Sequence, residues 1–278
     1  MHSPALSTTS LSVAGRIFLI TGGTQGLGLE IAHQLKNNGA AALILVSRSD
    51  DKAIKAKEYL SPATAAVDNC IIEFIKADLS NVEQTEAVIP RSILALQKAG
   101  ITNPIISGVV NAAATTARGN LATTTAASFN EQYDTNVRAR FIITKHATQH
   151  MMEMNLKRGI GSIVNICSVA SKGGAPFILG YSCAKSALVT LTKNNAAELA
   201  PKGIRVNGVD MGWCLTENED KLQSANAGAD WWKNADESVP LGRILRPVDV
   251  AASVLFLLSG ASVMMTGSII GKCFECPP

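Results

Sequence analysis

The chain has 278 residues, of which 47% are hydrophobic and 17% charged, a balance that predicts a well-buried globular protein and excludes a disordered one. With 25 Lys and Arg against 22 Asp and Glu, its net charge of +3 is too small to indicate nucleic acid or an anionic membrane as a partner. No apolar stretch reaches the ~20 residues that span a bilayer, so the sequence predicts a soluble protein.

The chain begins with a segment rich in Ser and Thr, which we interpret as a flexible tail over residues 1–12; a transit peptide is a weaker alternative. Six scattered cysteines in a long chain without a secretory signal indicate reduced thiols and a cytoplasmic location. Cys273 and Cys276 form a C-x-x-C with no second pair, so we expect no metal there. His146 and His150 lack a third ligand, which favours an exposed helix face over a metal site.

After the tail, short apolar runs alternate with longer helical stretches. The predicted strands are 17–20, 43–46, 71–75, 105–110, 162–166 and 204–209, and the predicted helices are 27–35, 51–60, 82–96, 129–152 and 181–199. Strict alternation of strand and helix predicts a doubly wound parallel sheet of the Rossmann type, with helices on both faces in three α/β/α layers. We expect one domain over residues 13–278.

A glycine-rich turn follows the first predicted strand and opens the first predicted helix. Such a turn leaves backbone N–H groups at a helix N-terminus, where they can bind a pyrophosphate. The spacing G-x3-G-x-G differs from the standard dinucleotide motif, so a plain tight turn is the alternative. The residues expected to contact the cofactor here are Gly22, Thr24, Gln25, Gly26, Leu27 and Gly28.

The end of the second strand should contact the adenosine ribose of a bound dinucleotide. An acidic residue at this point would select NAD, but the sequence has Ser47, Arg48 and Ser49. A guanidinium can bind a 2′-phosphate through two hydrogen bonds, so these residues favour NADP over NAD. The alternative is a solvated Arg48 in a loop, with Asp50 or Asp51 capping the next helix.

Tyr181 and Lys185 open a long helix four residues apart, on one face. A phenol has a pKa of ~10, and a neighbouring ammonium and an oxidised nicotinamide would both lower it toward neutrality. Ser168 ends the preceding apolar strand, which places its hydroxyl at the edge of the sheet where ligands bind.

The polar segment 214–240 follows the last predicted strand. Its length and its pair Trp231-Trp232 favour a substrate lid over a surface excursion whose tryptophans pack on the core. Together with Trp213, these side chains suggest an apolar or cyclic part of the substrate.

In these motifs the chain resembles the short-chain dehydrogenase/reductase family over roughly residues 12–271. The resemblance is carried, in order, by Thr21-Gly22-x3-Gly26-x-Gly28, Asp78-Leu79, Asn111-Ala112-Ala113, Asn136, Ser168, Tyr181-x3-Lys185, and Ile204-Arg205-Val206-Asn207 with Gly212 and Thr216.

The resemblance implies a catalytic tetrad. Tyr181 would be the general acid or base, Ser168 would orient the substrate oxygen, and Lys185 would bind the nicotinamide ribose and lower the pKa of Tyr181. Asn136 would hold a water that links Lys185 to solvent. The family pattern further implies cofactor contacts from Asp78, Leu79, Asn111, Ala112, Ala113, Gly212, Trp213 and Thr216, and a homodimer or homotetramer formed through helices 129–152 and 181–199.

The chain departs from the family pattern at three places. Asn111-Ala112-Ala113 replaces Asn-Ala-Gly, Met211-Gly212 replaces Pro-Gly, and Gly271-Lys272 stands in place of a terminal Asp-Gly-Gly. The function that these residues predict is an NADP-dependent oxidoreductase acting on a ketone or secondary alcohol. The alternatives are a dinucleotide-binding sensor without turnover, and lyase or epimerase chemistry on the same scaffold.

Overall fold

A computed structural model of the protein describes residues 11–61 and 69–272. Seven strands form one sheet in the order β3-β2-β1-β4-β5-β6-β7, and every neighbouring pair is parallel. The strands are β1 (Ile17–Thr21), β2 (Ala42–Ser47), β3 (Ile71–Lys76), β4 (Ile106–Asn111), β5 (Ser162–Ile166), β6 (Arg205–Met211) and β7 (Ile269–Lys272). The predicted doubly wound Rossmann-type sheet is therefore confirmed.

Helices cover both faces of the sheet. They are α1 (Gly26–Asn37), α2 (Asp50–Leu60), α3 (Val82–Glu86), α4 (Val88–Lys98), α5 (Ala126–Tyr133), α6 (Ala139–Glu153), α7 (Leu179–Leu199), α8 (Glu217–Ala227), α9 (Trp231–Glu237) and α10 (Pro247–Leu258). One apolar cluster joins the sheet to α1, α2 and α10, and a second joins it to α4, α6 and α7. The result is three layers.

Adjacent strand residues belong to opposite clusters. Phe18 and Val110 lie in the cluster with α1 and α10, whereas their neighbours Leu19 and Val109 lie in the cluster with α4 and α6. Successive side chains of a strand point to opposite faces, so a strand covered on both sides is apolar throughout. This explains why the six predicted strands appear in the sequence as unbroken apolar runs.

Two predicted helices are interrupted. The stretch predicted over 82–96 divides at Ala87 into α3 and α4, because Pro90 has no N–H to donate to the carbonyl of Glu86. The stretch predicted over 129–152 begins earlier and contains one π-helical turn, Asp134–Arg138, between α5 and α6. Such turns are rare and often lie at functional sites.

Three parts of the fold were not predicted as elements. The polar segment after β6 contains the helices α8 and α9 rather than an extended loop. Helix α10 and the edge strand β7 follow it. Residues 1–10 of the predicted tail and the pair Cys273 and Cys276 lie outside the described residues. Within the ranges 11–61 and 69–272, no helix is both long and apolar enough to cross a membrane.

Candidate active site

The strand order reverses between β1 and β4, and ligands of open α/β sheets bind in the crevice at such a reversal. The glycine turn 22–28 follows β1, Asn111 ends β4, Ser168 follows β5 and Gly212 follows β6. Because carboxyl ends of parallel strands share one edge, the fold brings these sequence-predicted residues to the same side of the sheet.

The glycine turn fits a phosphate for steric and electrostatic reasons. Gly22 has φ +67°, and a Cβ on it would lie 2.9 Å from the Cα of Ala113. A Cβ on Gly28 would lie 2.2 Å from the carbonyl oxygen of Gly22. Gln25, the N-cap of α1, makes no side-chain cap bond, and the first turn carries no acidic residue. The N–H groups at this positive helix end therefore face the crevice without a competing anion.

The other residues predicted at this turn take different positions. The hydroxyl of Thr24 donates to the Ser47 hydroxyl over 2.9 Å, which joins the turn to the end of β2. Leu27 packs into the core. A Cβ on Gly26 would lie 3.6 Å from the Cβ of Thr216, so Thr216 stands across the crevice from the turn.

Arg48, predicted to bind the 2′-phosphate on the adenosine ribose, is exposed at the end of β2. Asp78 lies near it: the N–H of Ser80 donates to its carboxylate over 3.0 Å and lowers its pKa, and the Arg48 charge acts in the same direction. Leu79 is buried beside Asp78. The hydroxyl of Ser49 accepts from the Lys52 N–H and caps α2, so the capping residue is neither of the two aspartates that the alternative proposed.

Asn111 lies on a chain of side-chain hydrogen bonds that crosses the fold. Its Nδ2 donates to Oδ1 of Asn165 over 2.8 Å, and Nδ2 of Asn165 donates to the hydroxyl of Thr192 on α7, also over 2.8 Å. All three residues are buried. The chain ties β4 to β5 and α7, and it leaves the half-buried Ala112 and Ala113 beside the glycine turn.

Three residues of the predicted tetrad are in contact. The side chain of Ser168 lies close enough to the Tyr181 hydroxyl to act on its pKa as a hydrogen-bond partner. One helical turn beyond Tyr181, Lys185 is only 1% exposed, and its Nζ donates to the carbonyl of Ile166 over 2.6 Å. That Nζ lies 5.3 Å from the centre of the Tyr181 ring. A phenol, an alcohol and an ammonium thus meet at the carboxyl edge of β5, where a proton can be exchanged with a ligand oxygen.

Asn136, the fourth residue of the predicted tetrad, is fully buried in the π turn between α5 and α6. Its Nδ2 donates to the carbonyl of Thr115 over 2.8 Å, and its Oδ1 accepts from the Thr115 N–H over 3.3 Å. The amide therefore fastens the loop after β4, and a water beside Asn136 would have to be held by main-chain groups.

Burial shifts the pKa values of the titratable groups at this site. Burial lowers the pKa of Lys185 to about 7, and the positive charge of Arg140 acts in the same direction. Burial raises the pKa of Tyr181, while the hydrogen bond from Ser168 and the charge of Arg140 oppose the rise. The lowering that the sequence argument expected from Lys185 and nicotinamide is therefore not present in the protein chain alone.

Sequence analysis missed two charged residues at the site. Arg140 lies in the first turn of α6, and Asp210, near the end of β6, accepts a hydrogen bond from the hydroxyl of Ser171 over 3.3 Å. Both are buried. A signal was available, because Arg140 follows Asn136 by one helical turn and Asp210 is the only charged residue of its strand after Arg205.

The three tryptophans of the 214–240 region and its flank differ in role. Trp231 is 4% exposed and packs in the small core of this segment, as the surface-excursion alternative proposed. Trp213 is half-buried, and its ring centre lies 5.2 Å from that of Trp231. The indole N–H groups of these two residues donate to carboxylates of α8. Trp213 donates to Glu219 over 2.8 Å, and Trp231 donates to Asp220 over 2.9 Å. Helix α8 is thereby attached both to the end of β6 and to α9.

The histidine pair on α6 does not form the exposed face that was expected. His150 is buried, its Nε2 accepts from the Ile106 N–H over 3.3 Å, and burial lowers its pKa. His146 is half-buried. The α6 face that carries them packs against β4, which the sequence pattern of this helix did not reveal.

Comparison with known proteins identifies relatives over nearly the whole chain. A sequence model of the family described as enoyl-(acyl carrier protein) reductase matches residues 22–271. A probable galactose dehydrogenase of Rhizobium meliloti is 31% identical over 248 residues, which is 89% of this chain and 90% of the relative.

Solved structures share the fold at similar coverage. A short-chain type dehydrogenase/reductase from Mycobacterium marinum is 27% identical with a TM-score of 0.80, covering 96% of this chain and 98% of that chain. An NAD(P)-dependent gluconate 5-dehydrogenase homologue from Beutenbergia cavernae with bound NADP is 25% identical with a TM-score of 0.78, covering 94% and 96%.

Proposed function

The chain belongs to the short-chain dehydrogenase/reductase family of oxidoreductases, and from that membership we propose that it transfers a hydride between NADP and a ketone or secondary alcohol. The observation that carries the proposal is the contact between the Tyr181 and Ser168 hydroxyls, with Lys185 buried one helical turn beyond. We include in it a single domain over 13–278 and a cytoplasmic location; the location rests on the cysteine pattern of the sequence.

The crevice fits a dinucleotide. The open N–H groups of α1 would bind the pyrophosphate, and Gly28 leaves no room for a side chain that would block it. Thr24, Gly212, Trp213 and Thr216 would line the same crevice. When bound, the nicotinamide supplies or accepts the hydride.

The residues of the chain would handle the proton. In reduction Tyr181 would donate its hydroxyl proton to the carbonyl oxygen, and in oxidation it would remove the alcohol proton. Ser168 would donate a hydrogen bond to the same oxygen as negative charge develops on it. Lys185, with a pKa of about 7, would gain or lose a proton near neutrality and so restore Tyr181, with the π turn around Asn136 holding the connecting water.

We propose NADP rather than NAD because the end of β2 carries a cation and no acid. The preference predicts that Arg48→Ala raises the Kd for NADPH by about 10-fold or more, since a charge-assisted hydrogen bond contributes about 1.5–3 kcal/mol, and leaves the Kd for NADH nearly unchanged. Isothermal titration calorimetry measures both constants. Lys55→Ala, an exposed cation on α2, is the matched control; equal effects of Arg48→Ala on both cofactors would contradict the preference.

The substrate class is tested by NADPH consumption against a panel of carbonyl compounds. Relatives are named for galactose and gluconate, so the panel needs polyhydroxylated carbonyls beside cyclic and apolar ketones. The partly exposed Trp232 in the proposed lid 214–240, and Trp213 just before it, favour an apolar or cyclic portion of the substrate. Tight cofactor binding without hydride transfer to any member would instead favour the sensor, and product formation without net NADPH loss would favour lyase or epimerase chemistry.

We further propose a homodimer or homotetramer formed through α6 and α7. Phe141 on α6 is 49% exposed, and a partner subunit packed on α6 would bury it. Phe141→Lys is therefore expected to shift the mass measured by light scattering toward the monomer. The matched control is Leu94→Lys on α4, where the apolar side chain is 56% exposed. A monomeric wild-type protein would contradict the proposal.

A further inference from the structure

Arg140 is a buried cation without a buried anion. Arg140 is 2% exposed, and no carboxylate of the described residues forms an ion pair with its guanidinium. Its Nη1 donates to the carbonyl of Thr135 over 2.6 Å, its Nη2 donates to the carbonyl of Ala113, and its Nε has no partner. A buried guanidinium is costly, so carbonyls alone make an unusual environment for it.

The two carbonyls belong to the two loops that shape the candidate site. Ala113 lies against Gly22 of the phosphate turn, close enough that a Cβ on Gly22 would be 2.9 Å from its Cα. Thr135 lies in the π turn, next to Asn136. Arg140 therefore fastens the wall of the cofactor crevice to the turn that carries the fourth residue of the tetrad.

The charge of the guanidinium also acts on the proton-transferring groups. Burial lowers the pKa of Arg140 to about 10, so it stays charged at neutral pH. Burial is the largest influence on the pKa of Lys185, and the charge of Arg140 is the second; both lower it. For Tyr181, burial and the Ser168 hydrogen bond have larger effects, and the charge of Arg140 comes third and lowers the pKa. One side chain thus combines a structural contact with a fixed positive charge.

We propose that Arg140 is a positioning residue for proton transfer: it clamps the loop at Ala113 to the turn at Thr135 and holds a positive charge beside the phenol of Tyr181. The proposal rests on the proposed function, in which Tyr181 exchanges the proton. It adds to the tetrad a residue that touches neither substrate nor the reacting atoms.

Four titratable groups face Tyr181. Lys185 belongs to the same helix, Arg140 lies on α6, Cys167 follows β5 and Asp210 is the next-to-last residue of β6. Cys167 has a pKa of about 11 because it is buried, so it is neutral near pH 7. Asp210 raises the pKa of Tyr181. Removing Arg140 would leave Asp210 as the charge that approaches from another element.

The test is a titration of Tyr181 in the protein without cofactor, followed by the ultraviolet absorbance of tyrosinate. The chain has only three tyrosines, so subtracting the curve of Tyr181→Phe isolates the curve of Tyr181. Arg140→Gln keeps amide donors for the carbonyls but removes the charge, and we expect it to raise the midpoint by about one pH unit or more. Arg140→Lys keeps the charge and should leave the midpoint near that of wild type.

The contact of Arg140 with both loops is tested by a second measurement, the Kd for NADPH. A lysine can reach only one of the two carbonyls well, so Arg140→Lys is expected to raise the Kd for NADPH by about 3–10-fold, the loss of one hydrogen bond. This comparison stands even if Arg140→Gln does not fold. Lys145→Gln is the control, because Lys145 is an exposed cation on the same helix and should change neither quantity.

In turnover, Arg140→Gln should shift the acidic limb of the kcat/KM profile for alcohol oxidation, where activity is lost as Tyr181 becomes protonated, to higher pH, in the same direction as the titration. Coinciding titration curves of wild type and Arg140→Gln would overturn the role of the charge, as would equal shifts in the Gln and Lys variants. An unchanged Kd in Arg140→Lys would overturn the clamp. Because the titration needs no turnover, failure of the proposed oxidoreductase activity would be recognised separately.

Discussion

Tyr181→Phe is expected to lower kcat by about 10²–10⁴-fold, the range that a positioned general acid or base contributes. The substitution removes one oxygen atom, the one that hydrogen-bonds with Ser168. The ring and its contact with Lys185 remain, so the Kd for NADPH should change little. Steady-state kinetics with NADPH and a ketone, together with calorimetry of cofactor binding, separate the two effects.

The matched control for this substitution is Tyr133→Phe. Tyr133 lies on α5, stacks on Phe129 with ring centres 5.1 Å apart, and has a pKa raised by burial. It shares the residue type but has no interaction with Ser168. Activity of Tyr181→Phe close to that of wild type would count decisively against a proton-transferring role for Tyr181.

Lys185→Met should have opposite effects on activity and stability. Loss of the ammonium beside Tyr181 is expected to lower kcat/KM by about 10²–10³-fold, comparable to the loss of one preorganised donor. The same change removes a buried charge whose pKa is about 7 in the fold against an ordinary 10.5. Each unit of that difference destabilises the folded protein by about 1.4 kcal/mol when lysine is charged in the unfolded chain.

Removing the buried charge therefore stabilises the Lys185→Met variant. Part of this stabilisation is lost, because the carbonyl of Ile166 loses the donor that Lys185 supplies, at a cost of about 1–3 kcal/mol. We expect Lys185→Met to raise the free energy of unfolding by about 2 kcal/mol at neutral pH. Below pH 7 the full difference should be present. Between about pH 7 and 10.5 the lysine is neutral in the fold but still protonated in the unfolded chain. The cost of losing that proton on folding falls as pH rises, so the wild-type protein gains stability and the difference should shrink.

Urea unfolding of both proteins at several pH values measures this difference. Lys193→Met is the control, since Lys193 is exposed on the same helix and should change neither stability nor activity appreciably. A Lys185→Met variant less stable than wild type at every pH would contradict the sign of the argument. Unchanged kcat/KM would contradict the role of Lys185 in the mechanism.

The sequence was informative wherever a local pattern and its physical cause coincide. Six strands were predicted because burial on both faces requires continuous apolar runs, and the positions of the glycine turn and of Ser168 followed from strand ends. The pairing of Tyr181 with Lys185 followed from helical spacing. The grouping of Tyr181 with Ser168 was implied by the family resemblance, and in the structure Ser168 acts on the Tyr181 hydroxyl.

Other features depend on contacts between distant parts of the chain, which a local pattern does not contain. Strand β7 has four residues and is recognisable only through its pairing with β6. The π turn at Asn136 differs from an α-helix by one extra residue and leaves no mark in the apolar spacing. The buried positions of Arg140 and His150 depend on how α6 meets the sheet; the spacing from Asn136 points to Arg140, but neither burial follows from a local pattern.

The attachment of α8 to Trp213 and Trp231 has a practical consequence. All three tryptophans of the protein lie between residues 213 and 232, beside the carboxyl edge of β6. Intrinsic fluorescence excited through indole therefore originates entirely from this one segment. A displacement of α8 that breaks the hydrogen bonds to Glu219 or Asp220 would alter the tryptophan emission. Movement of α8 at this end of the crevice can therefore be followed by fluorescence in the unlabelled protein.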